Sequence, residues 1–170
     1  MSASTAGFAG MRVTVVGLAR SGVAACKALC ERGAVVTATD RQAAERLGVG
    51  LQGLGARGVR IEAGGHRPES FRDADLIVVS PGVLTDMPLL EEARERGIPV
   101  WGEVELAYRL TAARFLGVTG TNGKSTTTSL LGAMLGAANF PVVVAGNIGT
   151  ALCEVVPGLT ASHWIVAELS

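Results

Sequence analysis

The sequence predicts an α/β fold built on two parallel sheets, and three observations lead to this prediction. Short apolar runs typical of buried strands alternate with helical segments from end to end, as they do in parallel βαβ folds. Two of these runs, near residues 12–16 and 115–119, each lead into a glycine-rich turn that opens a helix. Hydrophobic residues make up 48% of the 170-residue chain and charged residues 18%, so the material for a core is ample.

The first predicted domain covers residues 1–102. Gly33 and Gly97 follow helical segments at positions where glycine commonly ends a helix. Between residues 41 and 65, seven glycines blur the pattern, and we expect one helix there followed by a short strand over Val59–Glu62. The other predicted elements are strand Arg12–Val16, helix Ser21–Arg32, strand Val35–Thr39, strand Leu76–Val79, helix Pro88–Arg96 and strand Ile98–Trp101.

The second predicted domain covers residues 103–170. Its predicted elements are a connecting helix within 102–114, strand Phe115–Thr119, helix Lys124–Ala137, strand Val142–Ala145, a short helix and strand Trp164–Ala167. Three strands with so few helices cannot cover both faces of a parallel sheet, so we expect this domain to be incomplete.

The turn after the strand at 115–119 has the composition of a phosphate-binding loop. Its small residues let backbone N–H groups point into one concavity, and the helix that follows presents its positive N-terminal end. Lys124 supplies a mobile cation for the outer phosphates, and the Ser125 hydroxyl can ligate Mg²⁺. The sequence therefore predicts a nucleoside triphosphate site formed by Gly120, Thr121, Asn122, Gly123, Lys124, Ser125 and Thr126.

This loop departs from the standard spacing of a phosphate-binding loop. Counting back from Lys124 places Val118 where the first glycine of that pattern belongs. The alternative is a glycine-rich connection between a strand and a helix that carries an ordinary surface lysine. The strand before the loop and the helix after it favour the phosphate site.

The turn over residues 17–22 lies where a Rossmann sheet binds a dinucleotide, and Asp40 ends the second strand, where an acidic residue often meets a ribose. Ala19 replaces the glycine that lets the backbone approach a pyrophosphate, which disfavours NAD. A diphosphate held by the N–H groups of Arg20, Ser21 and Gly22 tolerates this change better. A turn without a ligand and a nicotinamide dehydrogenase are the alternatives.

A second segment is expected beside this turn. Ser80, Pro81 and Gly82 follow another predicted strand, and ligands gather at the carboxyl ends of parallel strands. These residues are therefore predicted to line the same cleft.

Composition excludes several classes of function. Fifteen basic and fifteen acidic residues give a formal charge of zero, which argues against an extended nucleic-acid surface. No apolar run reaches the length that spans a membrane, and the first residues lack the pattern of a signal peptide. Cys26, Cys30 and Cys153 have no metal-binding spacing and are expected to be thiols in a reducing compartment. We therefore expect a cytoplasmic location with no membrane partner.

Five motifs, in this order and spacing, resemble those of the Mur ligase family of bacterial cell-wall enzymes. They are the turn 17–22, Ser80-Pro-Gly, the loop 120–126, Ala-Gly-Asn-Ile-Gly at 145–149 and Glu-Leu-Ser at 168–170. The resemblance covers nearly the whole chain and is strongest to the branch that adds D-glutamate. It implies a Rossmann-like N-terminal domain for the UDP end of the substrate, followed by a truncated P-loop ATPase-like central domain.

The resemblance also implies an activity. An enzyme of this kind is an ATP-dependent amide ligase of peptidoglycan precursor synthesis that uses ATP and Mg²⁺. Its substrates would be UDP-N-acetylmuramoyl-L-alanine and D-glutamate, joined through an acyl phosphate on the substrate carboxylate. The protein contributes mainly positioning and charge neutralisation. Because a D-glutamate site and part of the metal site have no counterpart here, these 170 residues alone are expected to be inactive.

Site residues follow from the resemblance position by position. Lys124 and Glu168 would be the catalytic pair, with Ser125 and Glu168 on Mg²⁺ and residues 120–126 on ATP. The residues implied for the UDP substrate are Arg20, Ser21, Gly22, Asp40, Arg41, Gly82, Asn147 and Ser170.

Alternatives remain open at some of these positions. Asn147 between two glycines is also typical of a simple turn, and Glu168 is also consistent with a solvated chain end. His66 and His163 match no site of the family, and both are expected to be surface or loop residues. The rival functions are a non-catalytic UDP-sugar-binding module and another Mur or folylpolyglutamate-type ligase.

Overall fold

The structure is a computed structural model that describes residues 7–169. The chain divides into two compact units, one comprising residues 7–106 and the other residues 107–169. We refer to them as the first and second units. The longest described helix has 14 residues, and none of the helices in the described range could cross a membrane.

The first unit contains a five-stranded parallel sheet with the strand order β3-β2-β1-β4-β5. Because the chain leaves the central strand β1 toward one side and later returns to its other side, the fold is doubly wound. Its elements are β1 Arg12–Val16, α1 Arg20–Glu31, β2 Val35–Asp40, α2 Gln52–Gly55, β3 Arg60–Ala63, α3 Pro68–Arg72, β4 Leu76–Val79, α4 Pro88–Glu95 and β5 Val100–Gly102.

The central strands form the core of this unit because they are apolar on both faces. All four residues of β4 are buried, as are the last four of β1, and the register joins Val13 to Leu76 and Val16 to Val79. Helix α1 covers the sheet with buried apolar residues, the small Ala24, Ala25 and Ala28 and the larger Leu29. A continuous apolar run is typical of a strand in a parallel sheet with both faces covered.

The predicted strand Ile98–Trp101 is displaced in the structure. The ladder from β4 pairs Ile77 with Val100, so β5 begins two residues later than predicted. Helix α3 is not predicted, because its five residues are too few to show a helical period. The predicted helix between residues 41 and 65 is reduced to α2 and two 3₁₀ turns, Ala44–Arg46 and Val49–Leu51. The seven glycines of this stretch disfavour a longer helix.

The second unit contains a three-stranded parallel sheet with the order β6-β8-β7. Its elements are β6 Arg114–Val118, α6 Lys124–Ala137, β7 Val142–Gly146, α7 Leu152–Val155 and β8 Trp164–Glu168; helix α5, Glu103–Leu110, contains the division between the units. The register aligns Val118, Glu168 and Gly146. The ends of all three strands therefore lie at the same edge of the sheet.

Helix α6 packs closely on this sheet. A Cβ built on Gly132 would overlap the Val144 side chain, so the absence of a side chain at residue 132 permits the contact. Leu130 and Met134 on the same helix are about 60% exposed.

Candidate functional site

The turn over residues 17–22, called the Gly17 turn below, is held by neighbouring strands before any ligand is considered. Gly17 N–H donates to the Thr39 carbonyl at 2.9 Å, and Leu18 N–H donates to Asp40 Oδ2 at 2.6 Å. Ser80 Oγ donates to the Gly17 carbonyl at 2.7 Å, in a buried position. The ends of β1, β2 and β4 are thus connected through this turn.

Close packing explains the glycine at residue 22. A Cβ built there would overlap the Gly17 carbonyl oxygen and come within 2.7 Å of Ser80 Oγ. Gly17 itself has φ of 90°, in the left-handed region that glycine tolerates best. Both glycines are therefore required by the fold of the turn itself.

The turn opens helix α1 with its first N–H groups uncapped by any side chain. Ala19 occupies the N-cap position, and no acidic residue lies in the first turn of this helix. The N-terminus of a helix attracts anions through these N–H groups and the helix dipole. This end of α1 is therefore suited to an anionic group such as a phosphate.

Beside the turn lies a cleft of about 500 Å³ in the first unit, a size ordinary for small-molecule sites. Of the predicted residues, Asp40, Arg41 and Gly82 line this cleft, and Ser80 and Pro81 lie with them. Arg20, Ser21 and Gly22 lie at the adjacent helix start, outside the lining. The lining consists of Gly17, Ala19, Asp40, Arg41, Gln42, His66, Ser80, Pro81, Gly82, Val83, Leu84, Asp86, Met87 and Pro88.

Asp40 has a structural task that sequence reasoning missed. The residue is only 9% exposed, and its two carboxylate oxygens accept from Leu18 N–H at 2.6 Å and from Gln42 N–H at 2.8 Å. Each oxygen keeps a further lone pair, so the carboxylate can brace the Gly17 turn and still accept from a ligand.

His66 lies in the loop between β3 and α3, where a surface or loop position was predicted. It is half-buried in the cleft wall, which the sequence did not predict, and its ring meets Phe71 edge to face at 5.9 Å. A usable signal exists in the sequence, because His66 follows β3 and the carboxyl ends of parallel strands collect ligand-facing groups.

The second glycine-rich segment, residues 120–125, is called the Lys124 loop below. It reaches helix α6 through two residues with positive φ, Gly120 at 144° and Gly123 at 75°. Lys124 Nζ donates to the Gly120 carbonyl at 2.7 Å, and Thr128 Oγ1 donates to the Lys124 carbonyl at 2.7 Å. The lysine thus curls back over its own loop.

The Lys124 loop is open to solvent, unlike the Gly17 turn. Thr121, Asn122, Ser125 and Thr126 are exposed. A Cβ on Gly123 would meet nothing within 4 Å, and helix α6 starts without a side-chain cap or an acidic residue. The loop therefore presents a cation, hydroxyl groups and helix N–H groups to the same solvent-facing region.

Glu168 supplies an observation that bears on a divalent cation. It ends β8 beside Val118, the last residue of β6, and is only 6% exposed. Its Oε2 atom is buried without a hydrogen-bond partner. An unpaired carboxylate oxygen is costly unless a cation or donor completes it, so the residue fits a role as a Mg²⁺ ligand.

No cluster of three histidine, cysteine or acidic side chains suited to a metal exists within residues 7–169. A site for Mg²⁺ that uses one or two carboxylates, nucleotide phosphates and water does not need such a cluster. Glu168 and the exposed Ser125 hydroxyl are compatible with that kind of site.

Asn147 lies at the same edge of the sheet and is exposed. Its backbone N–H donates to the Glu168 carbonyl at 3.0 Å, which fixes the start of the loop that follows β7. The predicted site residue Ser170 lies outside the described residues.

Two parallel sheets, each with a glycine-rich turn opening a helix, define a protein of the doubly wound α/β class. The family described as "Mur ligase MurD-like, N-terminal domain" matches residues 11–102. The chain therefore belongs to the Mur ligase family, in its MurD-like branch, which confirms the resemblance found in the sequence.

Curated relatives extend this similarity over nearly the whole chain. The UDP-N-acetylmuramoylalanine--D-glutamate ligase of Geobacillus sp. (strain WCH70) is 46% identical over 98% of the chain. The ligase of the same name from Anaeromyxobacter dehalogenans (strain 2CP-C) is 51% identical over 95%. The chain spans 37% and 35% of the lengths of these two relatives.

Solved structures agree on the fold. A murein peptide ligase from Psychrobacter arcticus 273-4 matches 95% of the chain, and 38% of its own length, with a TM-score of 0.59 at 19% identity. The UDP-N-acetylmuramate-alanine ligase MurC of Thermotoga maritima matches 94% of the chain, and 37% of its own length, with a TM-score of 0.53 at 22% identity. At such identities the match concerns the fold alone.

Proposed function

We propose that this chain serves an ATP-dependent ligase that adds D-glutamate to UDP-N-acetylmuramoyl-L-alanine during peptidoglycan precursor synthesis. The observation that carries the proposal is the identity of 46–51% to ligases of that name over 95–98% of the chain. The chain spans little more than a third of those relatives, so we assign it two tasks: binding the UDP end of the substrate and holding part of the ATP site.

In this proposal the predicted domain over residues 1–102, most of which lies in the first unit, binds the UDP group. The uncapped N-terminus of α1, at Arg20, Ser21 and Gly22, receives the diphosphate, while Asp40 and Arg41 lie near the uridine with Gly82. The cleft supports this assignment because it lies at the carboxyl ends of β1, β2 and β4, where doubly wound sheets bind nucleotides.

The domain over residues 103–170 is proposed as the beginning of a P-loop ATPase-like domain. Lys124 would offset phosphate charge, Ser125 and Glu168 would hold Mg²⁺, and residues 120–126 would line ATP. When bound, Mg²⁺ would neutralise phosphate charge during transfer to the substrate carboxylate. The chain's own contribution is to orient the phosphates through N–H groups and the Lys124 ammonium.

The remaining assignments stay predictions. Asn147 and Ser170 are proposed to reach the UDP substrate, the location is proposed to be the cytoplasm, and no nucleic-acid or membrane partner is proposed. The isolated 170 residues are expected not to form the D-glutamate product, since they span little more than a third of the relatives' length.

Calorimetric titration of the 170-residue chain tests the proposal. We expect UDP to bind without Mg²⁺, and ATP to bind more tightly with Mg²⁺ than with EDTA. Binding of UDP alone would support the rival module without an ATP site. Binding of neither nucleotide would refute the proposal for both units.

A further inference from the structure

His66 is a cleft residue to which the proposed function assigns no task. It follows β3 and lines the same cleft as Asp40 and Gly82. Its ring is half-buried against Phe71, which is 1% exposed. The ring therefore has a fixed wall on one side and the cleft on another.

The backbone fixes the position of this histidine. Gly65 N–H donates to the Asp40 carbonyl at 3.1 Å, and Gly64 N–H donates to the Gln42 carbonyl at 2.8 Å. Both glycines have positive φ, 84° at Gly64 and 153° at Gly65, which allows the sharp return of the chain. His66 is thus tied to the end of β2.

The contact with Thr39 couples the tautomer of the ring to the direction of the threonine hydroxyl. Thr39 Oγ1 donates its single proton to the Gly65 carbonyl at 3.2 Å, and it lies 2.9 Å from His66 Nδ1. With the hydroxyl proton directed to the Gly65 carbonyl, Nδ1 carries the ring proton and donates it to Thr39. In the neutral ring the other nitrogen, Nε2, is then a bare acceptor.

The surroundings favour the neutral ring at neutral pH. Partial burial has the largest effect and lowers the pKa of His66 from its ordinary 6.5. The Asp40 and Glu62 carboxylates raise this pKa, whereas the positive charge of Arg41 lowers it. Asp86 is the other carboxylate in the cleft lining. Within residues 7–169 no hydrogen bond engages Nε2.

We propose that His66 is a further ligand-binding residue of the cleft, whose Nε2 accepts a hydrogen bond from a donor on the nucleoside of the bound UDP group. The donor is a ribose hydroxyl or the N3–H of uracil. This inference rests on the proposed function of the first unit. It adds a neutral acceptor to a cleft whose other polar side chains include the anionic Asp40 and the cationic Arg41.

The chain offers closely matched variants for a test. His66→Asn keeps a donor near the position of Nδ1 and removes the acceptor at Nε2, whereas His66→Gln places an oxygen acceptor near Nε2. His163, the other histidine of the chain, lies in the second unit, so His163→Asn is the control.

Calorimetric titration of UDP at pH 7.5 should separate these variants. We expect His66→Asn to weaken binding about tenfold, the range of one lost hydrogen bond, while His66→Gln and His163→Asn stay within about twofold. Equal affinity of His66→Asn and the unmodified chain would overturn this inference alone. Absence of UDP binding by the unmodified chain would overturn the proposed UDP site and this inference together.

The pH profile gives a second readout. Protonation turns Nε2 from an acceptor into a donor, so the unmodified chain should lose affinity relative to His66→Gln as the pH falls below 6.5. The quantity to follow is the UDP affinity of the unmodified chain divided by that of His66→Gln at each pH. This ratio cancels the titration of the UDP phosphates, which affects both proteins equally. A ratio that rises at low pH would mean that His66 acts as a cation, which contradicts the proposal.

UDP analogues locate the donor. The difference between the unmodified chain and His66→Asn should vanish for 2′-deoxy-UDP, 3′-deoxy-UDP or N3-methyl-UDP, whichever lacks the bonded group. A full difference with all three analogues would overturn the proposal.

The tautomer is also measurable without any variant, by two-bond ¹H–¹⁵N NMR of the histidine ring at pH 7.5. A proton on Nε2 instead of Nδ1 would refute the assignment.

Discussion

The Gly17 turn and the Lys124 loop occupy equivalent places, each between a first strand and the helix that follows, yet they are built differently. In the Gly17 turn, Gly22 lies so close to the Gly17 carbonyl that no side chain fits, and Ser80 and Asp40 hold the turn from neighbouring strands. In the Lys124 loop, a Cβ on Gly123 would meet nothing, and its glycines serve backbone conformation alone.

This difference in packing means that the Gly17 turn contributes mainly to stability and the Lys124 loop mainly to ligand binding. A turn packed against its own neighbours is rigid before a ligand arrives, so its residues are needed for folding. A loop whose polar groups face solvent leaves its contacts to the ligand, so its residues are needed for affinity. Changes in the Gly17 turn should therefore destabilise the first unit, whereas changes in the Lys124 loop should weaken nucleotide binding without destabilising the chain.

The largest effect is expected for Gly22→Ala. The new methyl overlaps the Gly17 carbonyl, so the turn must open, and we expect a loss of about 3 kcal/mol in the free energy of unfolding. Urea unfolding followed by Trp101 fluorescence, in a Trp164→Phe background, reports on the first unit because the chain has two tryptophans, one in each unit.

Gly53→Ala is the matched control for that substitution. Gly53 lies in helix α2, and a Cβ there meets nothing within 4 Å. Alanine should leave stability unchanged or raise it by about 0.5–1 kcal/mol. Equal stability of the two variants would contradict the packing account of the Gly17 turn.

The next largest effect is expected for Lys124→Ala, on binding rather than on folding. Losing a charged hydrogen-bond donor should weaken ATP binding about 10- to 100-fold. The stability change should stay within about 0.5 kcal/mol, because this lysine bonds only its own exposed loop. Calorimetry and urea unfolding measure the two quantities.

The control for the lysine is Lys27→Ala, which removes the other lysine of the chain, exposed on α1. It should leave ATP affinity unchanged. If Lys124→Ala instead destabilised the chain and preserved affinity, the contrast between the two segments would be reversed.

Glu168→Gln should produce a smaller change, about tenfold, in the dependence of ATP affinity on Mg²⁺. The amide keeps the shape of the side chain but loses the negative charge that attracts the cation. The measurement is the ratio of ATP affinities with Mg²⁺ and with EDTA, and Glu154→Gln, exposed on α7, is the control. An unchanged ratio would exclude Glu168 as a Mg²⁺ ligand.

The smallest of these effects is expected for Ser80→Ala. It leaves the buried Gly17 carbonyl without its 2.7 Å hydrogen bond, so the first unit should lose about 1 kcal/mol. Ser129→Ala, on the exposed face of α6, should change stability little. Trp101 fluorescence during urea unfolding again gives the measurement, and a neutral Ser80→Ala would mean that Ser80 does not hold the turn.

Much of the fold could be predicted from local sequence signals. Helix Lys124–Ala137 and strand Leu76–Val79 have the predicted bounds, because a glycine turn starts the helix and four apolar residues make the strand. Parallel sheets were predicted from the alternation of elements. The strand order was not, because it depends on pairing between distant segments that periodicity does not report.

The site was less predictable for the same reason. Asp40 was expected beside a ligand, but its bond to Leu18 N–H depends on how β1 and β2 meet. His66 follows a predicted strand, but its place in the cleft wall depends on the pairing of β3 with β2, which periodicity does not report. Gly22 was interpreted through its N–H group, whereas its packing against Ser80 appears only once β4 is placed next to β1.

The bond from Lys124 Nζ to the Gly120 carbonyl determines what a phosphate could gain at this loop. When a phosphate binds, the Lys124 ammonium would exchange the neutral Gly120 carbonyl oxygen for an anionic phosphate oxygen. The number of its hydrogen bonds would then stay the same. The gain is then largely electrostatic, and mobile ions weaken such attractions at an exposed site. Nucleotide affinity at this loop should therefore fall as the ionic strength rises.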